Sequence, residues 1–199
     1  MTVTAPALML DLQWTQLSHD ERYHKDVVLL PLGERVKHMA LHMAKYVGYL
    51  AEIDGDDPDR VSRILVDAFI ITLATANTLN QDLGRDLAAP NGSGLDLSKI
   101  GHDLAAELAT TNDVSGLLRT FARHAGALAK ACESLDHMES FPFRNAMRES
   151  NLALFKLVVA AAAVRSLDLA ALYAARLRVV EERSIFDARL RDVAPVAAQ

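Results

Sequence analysis

Cysteine is almost absent: Cys132 stands alone, so no intramolecular disulfide can form. Its Ala- and Leu-rich surroundings suit a buried structural thiol better than a nucleophile. Glycine and proline are scarce, at 9 and 6 in 199 residues, and aromatic side chains make up 6%, a composition that favours helices over a sheet. Positive charge is in deficit. The net charge of −5 leaves no broad basic surface for a nucleic-acid backbone, so no nucleic-acid partner is expected. A Gly-rich phosphate loop, a paired-cysteine motif, a nucleophile elbow and a dinucleotide fingerprint are all missing, which sets aside the enzyme classes built on them. No Lys or Arg precedes the apolar patch in Met1 to Leu12, and the first basic residue is Arg22, against a secretory signal. The apolar window Leu152 to Val164 is interrupted by Lys156 and too short to cross a bilayer. A cytoplasmic protein without a membrane partner is the expectation.

What is present is apolar bulk, 51% of residues, arranged with helical period. Val36, Met39, Ala40, Met43, Val47, Leu50 and Ala51 recur at steps of three and four, predicting a helix from Val36 to Glu52. Ile53 to Asp59, with Gly55 and Pro58, stops it. A second helix follows from about Asp59 to Leu79, apolar over more than one stripe and so mostly enclosed, with Asp67 in its middle. A carboxylate in that setting needs a partner, with Arg35, Lys45, a histidine or Arg148 available. Nearer the start, Ser18-His19-Asp20-Glu21 reads as a helix N-terminus leading through Tyr23 to Leu30, and Trp14 and Leu17 as a packing arm. Later helices are expected over Asp96 to Thr110, Asp113 to Ser140, Arg144 to Val164 and Asp168 to about Arg191.

The pieces Lys45-Tyr46-Val47-Gly48-Tyr49-Leu50-Ala51-Glu52 and Ile64 to Leu83 resemble the paired helices of the MazG-like all-α nucleoside triphosphate pyrophosphohydrolases in frame, turn and Asp-Leu ending. The resemblance covers about a quarter of the chain. It implies an all-α fold, a helical bundle of MazG-like hairpins, and a magnesium site made by two pairs of acids. Those acids fall on Tyr46, Tyr49, Ile64 and Asp67, so Asp67 alone carries over, with Glu52 as a flanking acid and Asn77 matching an Asn placed near base or sugar. The resemblance thus points to a divergent or catalytically impaired nucleotide-binding relative. If active, it would be a magnesium-dependent pyrophosphohydrolase with Asp67 and Glu52 as catalytic residues. The alternative is a non-catalytic helical module for protein interaction or regulation. Residues 1–88 would form one hairpin, 89–95 a turn-rich linker and 96–199 a second hairpin packed on the first. Two short echoes, Gln81 to Ala88 with Leu167 to Ala174 and His42 with His124, admit an internal tandem pseudo-dimer, against the matches that an Ala/Leu-rich composition produces by itself. A homodimer also remains open.

Three constellations bear on chemistry. His38 and His42 lie four apart, a spacing at which two imidazoles can share a metal, although semi-buried histidines beside a Met-rich stripe are the plainer reading. With Lys45 one turn on, they make a face suited to phosphate oxygens of a nucleotide or other small anion, unless Lys45 pairs with a neighbouring acid. Glu133, Asp136, His137 and Glu139, with Arg148 and Glu149 beyond Phe141-Pro142-Phe143, are the other place to seek magnesium, giving Asp67, Glu133 and Glu149 as metal candidates. A solvated helix end with mixed charge is the plainer reading of these acids. Finally, Arg176, Arg178, Arg183, Arg189 and Arg191 alternate with Glu181, Glu182, Asp187 and Asp192, as on an exposed salt-bridged face.

Overall fold

A computed structural model describes residues 4–55, 57–87, 96–185, 187 and 189. Within them lie nine helices and no strand. The helices are α1 Ala5–Tyr23, α2 Lys25–Val28, α3 Leu32–Ala51, α4 Pro58–Thr78, α5 Leu83–Asp86, α6 Leu97–Glu107, α7 Val114–Asp136, α8 Phe143–Val164 and α9 Leu169–Glu181. The all-α bundle expected from the periodicity is what the chain forms. Residues 88–95, which include the whole expected linker, lie outside the described residues, as do Arg191 and Asp192.

Local chemistry explains most helix starts. Asp57, Asp82, Asp96, Asp113 and Asp168 each accept a main-chain N–H of the first turn, satisfying donors that the helix leaves open. The ends are less ordinary: α4, α6, α7 and α8 are followed by Asn80, Ala109, Met138 and Ser166 with φ of 50, 49, 50 and 54°. In each case the next N–H reaches back to the final turn, as from Thr110 to the Ala105 carbonyl at 2.9 Å. One expected start is overturned. Ser18-His19-Asp20-Glu21 belongs to the last turns of α1, which begins with Pro6 in its first turn, and the chain breaks at His24 before the short α2. The packing arm also divides: Trp14 is 68% exposed, whereas Leu17 turns inward.

The hairpins α3–α4 and α7–α8 pack with α3 on α7 and α4 on α8, making a four-helix core. Phe69, Phe121 and Phe155 are fully buried in it, and each such side chain contributes about 1.5–3 kcal/mol. Helix α6 crosses α8 so closely that a Cβ on Gly101 would lie 2.7 Å from the Ala163 Cβ. Only glycine fits there without a shift. Helix α1 lies against α4 and α5, and α9 against α4, so both cover the same face of the first hairpin. Helix α4 is long and apolar enough to cross a membrane by length and composition, and most of its apolar window is enclosed in the bundle.

A chain of buried amides threads this assembly. Gln13 of α1 donates to the Asn77 Oδ1 at 3.2 Å and the Gln81 carbonyl at 2.7 Å, while its own oxygen accepts the Leu83 N–H at 3.1 Å. Asn77 returns a bond to the Gln13 carbonyl at 2.8 Å. Gln81 accepts from Asn151 of α8 at 3.0 Å and donates to the Arg148 carbonyl at 3.0 Å. Asn151 also donates to the Thr72 carbonyl at 3.1 Å. Burying these groups would be costly without such partners.

Candidate functional site

Helices α1, α2, α3, α4 and α9 enclose a cavity of about 260 Å³. Leu17, Val28, Ile70, Ile71 and Val180 give it an apolar wall; Asp20, His24, Arg35, His38, His42, Lys45, Asp67, Asn77 and Arg176 give it a polar one. Its volume is near the lower end for small-ligand clefts.

The polar wall is ordered by its own bonds. Lys45 Nζ lies 3.1 Å from His42 Nδ1, and His42 Nε2 lies 3.1 Å from His38 Nε2. An ammonium can only donate, so His42 accepts at Nδ1 and donates from Nε2 to His38. Burial, then Lys45 and His38, lower the His42 pKa to about 4, which keeps that imidazole neutral at pH 7. Tyr46 packs beneath, with the Lys45 ammonium 4.9 Å from its ring centre. Burial, and secondarily Asp67, push its phenol pKa up. Arg35 donates to the Val28 and Leu30 carbonyls at the end of α2, and its Nε is buried without a hydrogen-bond partner.

Opposite, Asp67 receives two bonds from Arg176 of α9, 2.6 Å from Nε and 3.2 Å from Nη2. The required partner of this half-buried carboxylate is therefore an arginine whose surroundings in the sequence read as solvent-facing. Arg176 turns inward because its position on α9 faces α4; Arg178, two residues on, pairs with Glu181 in the exposed manner expected. Asn77 lines the cavity with its amide already engaged by Gln13 at both ends.

Five of the residues singled out in the sequence thus share one cavity: His38, His42, Lys45, Asp67 and Asn77. Glu52, Glu133 and Glu149 lie elsewhere. Glu52 holds Arg60 at the α3–α4 turn, Glu133 holds Lys130 at 3.0 Å on α7, and Glu149 lines a separate shallow surface with Asp86 and Arg148. Asp67, Glu133 and Glu149 are therefore not assembled as a ligand set. Of the positions where the resembled family carries acids, Tyr46 and Asp67 face the cavity, Ile64 is buried in the core and Tyr49 is exposed on α3. Cys132 is buried on α7, and burial raises its thiol pKa to about 11, as suits a structural thiol. Asp20, His24 and Arg176 are cavity residues that helical period did not reveal, because they come from α1, the break after it and α9, outside α3 and α4.

Compared with models of known families, with curated proteins and with solved structures, the chain matches none.

Proposed function

We propose that this cavity binds a small phosphate-bearing ligand of the nucleotide class. On this reading the chain is a binding module with a helical frame similar to that of the nucleotide pyrophosphohydrolases and without their multi-carboxylate magnesium site. The carrying observation is the convergence of the Lys45–His42–His38 chain with Arg35 and Arg176 on one small cavity that has an apolar wall. Donors of this kind suit phosphate oxygens, and the apolar wall suits a base or another flat apolar group. Hydrolysis is disfavoured, because magnesium requires oxygen ligands and Asp67 is the one acid that carries over from the resembled motif.

Isothermal titration of chelator-treated protein with a panel of nucleoside triphosphates, with and without magnesium, tests the reading. Binding without need of magnesium and without pyrophosphate release is expected. Lys45→Ala should weaken it about tenfold, the loss of one charge-assisted hydrogen bond. Asp67→Asn should strengthen it, since Arg176 is then freed to meet the anion and a like charge is removed from the cavity. A magnesium-dependent turnover abolished by Asp67→Asn would overturn the reading in favour of a working hydrolase; absence of binding across the panel would remove the nucleotide altogether.

A further inference from the structure

A second site lies at the α1 rim of the cavity. His19, Asp20 and His24 place one ligand atom each within 4.8 Å of one another, with His19 Nδ1 3.8 Å from Asp20 Oδ1. His19 is 6% exposed, and both of its ring nitrogens are buried with no hydrogen-bond partner. A buried imidazole normally satisfies at least one nitrogen, so this ring lacks a partner of the kind an ion supplies. Asp20 and His24 line the open cavity, which leaves a path for entry. From this arrangement we infer a binding site for a zinc-class divalent cation, held by His19, Asp20 and His24 with its remaining position open to the cavity.

The donor set selects the metal. Two imidazoles and a carboxylate suit zinc or cobalt and are poor for magnesium, which prefers oxygen. Zinc–nitrogen bonds of about 2.0–2.1 Å in tetrahedral geometry set ligand atoms about 3.3 Å apart. The observed separations therefore need only a small inward rotation of the side chains. The carboxylate is held for this role from behind. Gln16 donates to Asp20 Oδ1 at 2.8 Å, and its own oxygen accepts the Tyr173 hydroxyl at 3.1 Å. Gln16 and Tyr173 are buried, 1% and 3% exposed, so this orientation is fixed by the core. The site draws its ligands from α1 and the His24 that follows it, and does not depend on the cavity's anionic ligand.

Equilibrium dialysis of the full chain against zinc, followed by metal analysis, is the test, with cobalt(II) absorption and paramagnetically shifted imidazole resonances as independent readouts on the unaltered protein. One zinc per chain is expected, with an intense visible cobalt band of tetrahedral type and shifted resonances from two histidines. His24→Ala and Asp20→Asn should each weaken uptake about tenfold or more, since even loss of an outer-shell partner costs 10–100-fold, with helical circular dichroism unchanged. No uptake by the unaltered chain would overturn the inference. So would uptake that survives both substitutions, or uptake that disappears in His38→Ala and His42→Ala while His24→Ala retains it.

Discussion

Asn77 shows how much one side chain is asked to do. Its amide donates to the Gln13 carbonyl and accepts from the Gln13 side chain, so it joins α4 to α1 while forming part of the cavity wall. Asn77→Asp would set a carboxylate oxygen against that carbonyl, two acceptors with no proton between them. We expect a loss of about 1–3 kcal/mol, measured by urea unfolding, because a half-buried acceptor is left unpaired. Asp67 was the residue most legible in the sequence: a carboxylate amid Ile64, Leu65, Val66, Ala68 and Phe69 demands a counter-charge. Which counter-charge was not legible. Arg176 sits among alternating charges on α9, and only the docking of α9 on α4 distinguishes it from Arg178.

At the level of the helix, most starts and the stops near Glu52, Leu79 and Val164 were readable, and the left-handed residue that closes α4, α6, α7 and α8 was not. Asp57 followed by Pro58 and Asp113 before an apolar run announce N-termini by known capping chemistry. Ser18-His19-Asp20-Glu21 carries the same signal inside α1, where the hydrogen bonds of a continuing helix take precedence over it. The stops at Asn80, Ala109, Met138 and Ser166 place side-chain-bearing residues in the left-handed region that glycine favours. Met138 is 89% exposed, so Met138→Gly should relieve backbone strain without a packing cost. The expected gain is roughly 1 kcal/mol, or about 2–4 °C in Tm for a chain of this size. Calorimetry that shows no rise would mean that the turn after α7 is not strained by its side chain.

For the whole molecule, the bundle followed from a helical period that runs through most of the chain, whereas the cavity did not, because its walls come from α1, α2, α3, α4 and α9 at once. Stability should depend on pH through that cavity. His42 has an ordinary pKa of 6.5 when unfolded and about 4 when folded. Between those values the unfolded chain takes up a proton that the folded chain refuses, so stability is full above pH 6.5 and falls as the pH drops toward 4. His124, lowered by burial and then by Arg123, acts in the same direction. In ligand-free protein, His42→Gln should flatten the fall between pH 6.5 and 4, as read from denaturation midpoints across that range. An unchanged slope would assign the acid sensitivity to other groups.

The amides of Asn77, Gln13, Gln81 and Asn151 have one further property as a set. An amide has a nitrogen end and an oxygen end, and in this row Gln13 and Asn77 orient one another, as Gln81 and Asn151 do. Rotating the Gln81 amide alone would turn its nitrogen toward the Asn151 nitrogen and its oxygen toward the Arg148 carbonyl, and Asn151 could not follow while it donates to the Thr72 carbonyl. The row has a sense of direction, like a sentence readable only one way. Helices α1, α4 and α8 therefore cannot slide past one another by a turn and repack as apolar surfaces can, and their relative register is singular.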